Sequence, residues 1–251
     1  MRVDCLKAEL VWRLRLGPGP SGHVSLDTGG IAALAASVAE AMASGARALV
    51  IEGDGPEFCA GMDLEGALAL DADGVRAALA SYAGCLEQLR RGPLATIAVV
   101  DRPASGGGVG LAAACDLVIA GQGATFALPE LRFGLLPAVI LPALRTRLRL
   151  QQVRRLTLTG EAIGAAQAEA WGLVDVLADD PAASLAGVLR GLARARPQAL
   201  AALKRWSEDE PVDGPARTAA DLADPELRAA LSGLLLEGAA PPWFSRMRGQ
   251  G

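Results

Sequence analysis

Three short, almost unbroken aliphatic runs constrain this chain most: RALVIEG at 47–53, ATIAVVD at 95–101 and CDLVIAG at 115–121. Runs of that length, bounded by glycine or acidic residues, read as buried strands rather than helices. Between and around them the pattern is helical. GGIAALAASVAEAMAS follows Asp27 or Thr28 as a cap and stops before Gly45, and a second helix is expected near 73–91. Strand, helix, strand in alternation implies a parallel βαβ core. At the amino end, AELVWRLRLG and HVSLD alternate with period two and flank PGPSG, which predicts a hairpin. Beyond residue 121 come a short strand in ATFALPELRFGLLP, helices near 138–148, 150–158 and 163–171, and a small strand in LVDVL. From about residue 181 to EGAAPPW the pattern is helical. The expected layout is a core over 1–180 and a C-terminal helical region over 181–251.

Composition then excludes several functions. The chain has 251 residues, 51% of them hydrophobic, enough for a full core. A net charge of −4 offers no basic footprint, so no nucleic-acid partner is expected. Apolar stretches such as AVILPAL fall far short of the roughly 18 residues that suggest a membrane span. MRVDCLKAELVWRLRLG alternates charged and apolar residues, unlike a signal peptide, so a soluble cytoplasmic protein is expected. Cys5, Cys59, Cys85 and Cys115 form no C-x-x-C pair, and His23 is the only histidine, so no metal site is expected. His23 reads as a strand surface residue. Chemistry must rest mainly on carboxylates and backbone amides, with a lysine or arginine as the remaining option.

Three loops that follow buried strands are where an α/β fold places ligands. FCAGMD ends in Gly61, Met62 and Asp63; Gly106, Gly107 and Gly108 open a helix; LPELRFG carries Glu130. Glycines let backbone N–H groups approach a ligand closely, and the second loop gains the positive end of a helix dipole. Glu130 lies between apolar neighbours, a setting that raises a carboxyl pKa.

In order and spacing, FCAGMDL, GGGVGLAAACDLVIA, ATFALPELRFGLLP and LTGEAIGAAQAEAWGLVDVL resemble the crotonase superfamily, the enoyl-CoA hydratases and isomerases. The resemblance is strong over 45–180. It implies an α/β crotonase (ClpP-like) fold of repeated ββα units with a C-terminal helical trimerisation region. It also implies an oxyanion hole for a thioester carbonyl, made by the backbone N–H groups of Met62 and Gly107. Ala60, Gly61, Gly106 and Gly110 are then expected to contact substrate. Hydratases of the family use two glutamates. One corresponds to Glu130, the catalytic acid–base group; the other falls on Gly110. A single carboxylate leaves allylic isomerisation, dehydration and decarboxylation as natural reactions, all through a thioester enolate. A non-catalytic thioester-binding homologue is the remaining alternative.

FGLLPAVILP and the closing Pro-Pro-Trp are similar to one branch, the stand-alone dehydratases of polyketide β-branching cassettes, which also carry glycine at the Gly110 position. Membership there would imply conversion of 3-hydroxy-3-methylglutaryl-acyl carrier protein to 3-methylglutaconyl-acyl carrier protein. In that reading Gly110 leaves room for the branched C3 substituent. No Lys or Arg lies between Gly17 and Gly45, where family members that use coenzyme A commonly carry an Arg-Pro motif. The expected substrate is therefore a phosphopantetheine thioester on an acyl carrier protein partner, with a CoA thioester as alternative and no separate cofactor. A homotrimer or hexamer is implied. Arg132, Arg145 and Lys204 are candidates for a substrate carboxylate but read as surface salt-bridge residues. Asp63 and Asp116 read as structural, Cys59 and Cys115 as small core residues, Tyr82 as a packing residue, and Trp171 and Trp243 as core or interface anchors.

Overall fold

The computed structural model describes residues 1–8 and 10–205. In chain order the elements are β1 (Arg2–Lys7), β2 (Val11–Gly17), β3 (Ser25–Leu26), α1 (Thr28–Ala43), β4 (Ala48–Gly53), β5 (Gly61–Met62), α2 (Leu64–Leu68) and α3 (Ala72–Arg91). They continue with β6 (Ala95–Val100), β7 (Ala104–Ser105), α4 (Gly107–Ala113), β8 (Leu117–Gly121), β9 (Thr125–Ala127) and a 3-10 turn at Glu130–Phe133. Next are α5 (Leu141–Arg147), α6 (Leu150–Thr159), β10 (Ile163–Gly164), α7 (Ala165–Trp171), β11 (Val176–Ala178), α8 (Pro181–Leu192) and α9 (Pro197–Arg205).

The main sheet runs β1-β2-β4-β6-β8-β11, parallel except where β1 meets β2. The aliphatic runs are unbroken because this sheet is covered on both faces. Leu49 and Ile51 of β4, Ala98 and Val100 of β6, and Val118 and Ala120 of β8 pack into the larger core. The alternate residues Val50, Ile97 and Ile119 face a second core closed by Leu185 of α8, with Leu189 and Leu200 packed against it. Helices α8 and α9, at the start of the expected C-terminal helical region, thus cover one face of the sheet. The rest of that region, Trp243 included, lies outside the described residues.

A strand of the main sheet, a short strand of a second layer and then a helix recur as β2-β3-α1, β4-β5-α2, β6-β7-α4 and β8-β9-α5. The second layer consists of β3 paired with β5 and of β10-β9-β7, with an isolated bridge between Cys59 and Ala104. This is the α/β architecture of repeated ββα units. It collects the ends of β5, β7 and β9 on one side of the molecule.

Local chemistry explains the boundaries. Asp27 caps α1 by accepting from Gly30 N–H at 2.6 Å, and Asp63 and Asp71 cap α2 and α3 in the same way at 3.1 and 2.7 Å. The expected hairpin is a correction. Residues 2–7 pair with 12–17 instead, Arg2 opposite Gly17 and Lys7 opposite Trp12. With β1 on one edge of β2 and β4 on the other, no edge remains for the stretch 23–27, of which Ser25 and Leu26 pair with Gly61 and Met62. His23 is consequently in a loop, exposed, with Nδ1 2.7 Å from Glu57 Oε1.

Among the described residues no helix is long and apolar enough to cross a membrane. None of them group three or more His, Cys, Asp or Glu as metal ligands would be grouped.

Candidate active site

The second layer brings the three loops together by register. Ser105 of β7 pairs with Ala127 of β9, and the next amide, Gly106 N–H, donates to Ala127 O at 2.9 Å. Three residues past Ala127 the chain reaches Glu130, so its carboxyl lands beside the start of α4. The first loop is tied to the same place by Phe58 N–H to Pro103 O and Ser105 N–H to Cys59 O, both 2.9 Å.

Glycine is required where these loops meet. Gly61 has φ +90°, and a Cβ there would lie 2.8 Å from Ser105 O and 3.3 Å from Gly107 N. Gly106 has φ +51°, and a Cβ on it would stand 3.1 Å from Glu130 Oε1. Both positions lie in the left-handed half of backbone space, where only glycine is at ease. Gly107 is the first residue of α4, so its N–H has no acceptor within the helix.

Met62, Gly107 and Glu130 lie on the wall of one cavity of about 620 Å³. Most of the lining is aliphatic or aromatic, including Leu26, Leu64, Val75, Leu79, Phe133, Leu136 and Ile140, with Tyr82 beside Gly107. Glu130 Oε2 is buried with no hydrogen-bond partner. Burial therefore raises the Glu130 pKa above the usual glutamate range, against a smaller opposing contribution from its own backbone N–H. Leu128, fully buried, and the turn closed by Gly134 at φ +72° hold the carboxyl in place.

The other expected contact residues stand elsewhere. Ala60, Gly61 and Gly106 lie behind the wall and shape the backbone; Ala60 N–H donates to Val24 O at 2.8 Å. Gly110 is a correction. It is buried and offers no room for a substrate branch, because a Cβ on it would overlap Ile140 Cγ2 and Cβ. Ile140, from the residue preceding α5, fills that space and forms the wall in its stead.

The candidate cations are engaged elsewhere or exposed. Lys204 is a buried group, not a surface one: its Nζ donates to Leu89 O, Leu94 O and Asp116 Oδ2 at 2.7–2.8 Å. Asp116 also accepts from Thr96 N–H and Oγ1–H. Arg132 donates to Gly160 O at 3.0 Å, and Arg145 is exposed. Trp171 stacks under Arg155, and burial pushes the Cys59 and Cys115 thiols up to about 12.

Four lining residues were not legible as site residues. Val75, Leu79 and Tyr82 share one face of α3 at spacings of four and three, a signal that reports a covered face without saying by what. Ile140 sits in a Pro-bounded aliphatic stretch with no chemical mark at all.

A family model described as enoyl-CoA hydratase/isomerase matches residues 20–219. The chain is similar to the enoyl-CoA isomerase/hydratase fer4 of Mycosarcoma maydis, 35% identical over 134 residues, 53% of this chain and 49% of that protein. It is also similar to the bacillaene synthase dehydratase PksH of Bacillus subtilis, 42% identical over 88 residues, 35% of this chain and 34% of that protein. It spans about half the length, or less, of the curated relatives it matches first. Among solved structures, AtuE of Pseudomonas aeruginosa superposes with a TM-score of 0.84 at 30% identity, covering 94% of this chain and 96% of that one. The loops that meet at the cavity, the repeated ββα layers and a family match over most of the sequence agree: this chain belongs to the enoyl-CoA hydratase/isomerase family.

Proposed function

We propose that the protein is a hydratase/dehydratase-type lyase that removes water from a 3-hydroxyacyl thioester, with Glu130 as its one acid–base group. The observation that carries this reading is the Glu130 carboxyl, with one oxygen buried and unpartnered, on an otherwise apolar wall beside Gly107. A carboxylate held that way is a stronger base than one in water.

The thioester oxygen accepts hydrogen bonds from Met62 N–H and Gly107 N–H, which stabilise negative charge as the C2–H bond breaks. Such donors are typically worth about 3 kcal/mol each in the transition state. Glu130 takes the C2 proton, the electron pair forms the enolate, and the C3–O bond then breaks to give the C2–C3 double bond. Glu130 returns its proton to the departing hydroxyl, which leaves as water. The reverse path adds water through the same group, so the direction follows supply and removal of the thioesters.

The finer form of the proposal is 3-hydroxy-3-methylglutaryl-acyl carrier protein as substrate, giving 3-methylglutaconyl-acyl carrier protein during polyketide β-branching. The partial similarity to PksH supports it. So does a stretch without Lys or Arg from 17 to 45, which suits a carrier-bound pantetheine better than a nucleotide. A homotrimer or hexamer belongs to the same proposal, and exposed Phe133, Leu136 and Leu158 are apolar surface of the kind assembly covers. A second reading is allylic isomerisation of an uncharged enoyl thioester by Glu130. It is favoured by a described lining whose only charged side chain is Glu130.

Mass spectrometry of carrier-linked and CoA-linked 3-hydroxy-3-methylglutaryl thioesters tests both. Loss of one water, abolished in Glu130→Gln, supports dehydration. An unchanged hydroxyacyl substrate together with a shifted 3-enoyl double bond supports isomerisation. Tight thioester binding with neither reaction leaves a binding protein.

A further inference from the structure

Tyr82 is the only tyrosine in the chain. It lies on α3, far from the loops in sequence, and is 3% exposed. Its hydroxyl donates to Gly107 O at 2.6 Å, a buried tie between α3 and the first residue of α4. The ring lines the cavity next to Gly107, and Cε1 lies 3.7 Å from where a Gly107 Cβ would be. Leu26 Cδ1 is 2.6 Å from the same point and Gly61 Cα 3.7 Å. Three neighbours thus crowd the place where a Gly107 side chain would stand, and Tyr82 adds a directed bond to them.

We propose that Tyr82 is a positioning residue: by holding the Gly107 carbonyl, its hydroxyl fixes the residue that lines the cavity at the start of α4. The inference rests on the oxyanion role of Gly107 proposed above. The physical reason is that Gly107 has no side chain to lock it, and glycine has more backbone freedom to lose than any other residue. A donor aimed at developing charge acts only if it is already in place when the charge forms. Burial pushes the phenol well above the ordinary tyrosine range, so Tyr82 stays neutral and keeps its proton for Gly107. It acts through Gly107 and transfers no proton.

Tyr82→Phe removes one oxygen and keeps the ring. The expected result is a kcat at least tenfold lower with KM within twofold, because the donor is misaimed while the apolar wall persists. The infrared carbonyl stretch of a bound, unreactive thioester should also move back towards its position in water. A packing role alone would lower the melting temperature without moving that band. A kcat within threefold of wild type, or an unchanged band, overturns the proposal. Should Tyr82→Phe fail to fold, growth on fluorotyrosine replaces this one ring and strengthens its hydroxyl as a donor. The band should then move further from its position in water, and an unmoved band overturns the proposal. If the wild-type protein does not shift the thioester carbonyl at all, the oxyanion reading is what fails.

Discussion

Ile140 occupies the space above Gly110: its Cγ2 and Cβ stand where a Cβ on residue 110 would be. The pair joins α4 to the start of α5, and the far end of α5 is fastened to α4 as well. There Arg147 donates to the carbonyls of Ala113, Cys115 and Asp116 at 3.1, 2.6 and 2.8 Å. Glycine at 110 is thus what allows α5 to seat on α4 and close the cavity with an aliphatic wall.

Gly110→Ala should destabilise the protein by about 1–3 kcal/mol through overpacking. Ile140→Ala alone should cost about 2–4 kcal/mol as a cavity. The double variant should be more stable than the two losses added together, since Ile140→Ala removes the Cγ2 that the new methyl meets first and leaves only the Cβ of residue 140 to shift. Denaturant midpoints of the four proteins check this, and strict additivity would mean the two residues do not share that space.

Glu130→Gln should lower turnover by about 10²–10⁴-fold, the usual range for one acid–base group. Melting temperature should hold or rise, because the variant places no charge at the buried, unpartnered Oε2 position. Loss of folding in the variant, seen by circular dichroism, would contradict the placement of the carboxyl.

The pH dependence has a definite sign. Glu130 titrates higher in the folded chain than the ordinary 4.5 because burial disfavours its charged form. The folded state then binds more protons than the unfolded one between those two values. Its contribution to stability is fully present below the unfolded pKa and is lost as pH rises through the folded one. Comparing wild type with Glu130→Gln in denaturant across that window should reveal the difference, which the variant lacks. Activity should run oppositely, rising with pH as Glu130 ionises, with the acid limb of kcat/KM above the ordinary glutamate range.

Two glycines at the loop junction should respond differently. Gly61→Ala forces a side chain into φ +90° and against Ser105 O, so stability and activity should fall together, the former by about 1–3 kcal/mol. Gly107→Ala meets first the far end of Leu26, which can turn aside, so activity should fall much more than stability. Thermal midpoints paired with turnover rates separate the two outcomes.

Lys204→Met should cost about 2 kcal/mol, since it leaves Leu89 O, Leu94 O and Asp116 without their shared donor. The partial exposure of Asp116, 31% for its side chain, keeps the loss below that of a fully buried pair. Urea unfolding provides the measurement.

The sequence by itself determined what depends on neighbours along the chain. Unbroken aliphatic runs of that length, bounded by glycine or acidic residues, read as buried strands, and Asp27 and Asp63 can cap because the free amides they accept from are three residues away. The glycine loops and Glu130 were legible as chemistry because such residue types are costly or unusual in apolar surroundings. The tertiary structure alone decided the rest. Residues 2–7 took the edge of β2 because strand pairing is a competition among distant segments. Tyr82 became the tie to Gly107, and Ile140 the cover of Gly110, through contacts between residues 25 and 30 positions apart in the chain. Lys204 turned from an apparent surface cation into a buried donor in the same way. An aliphatic or aromatic side chain has the same local pattern whether it faces a core or a cavity; only the shape of what packs opposite distinguishes them.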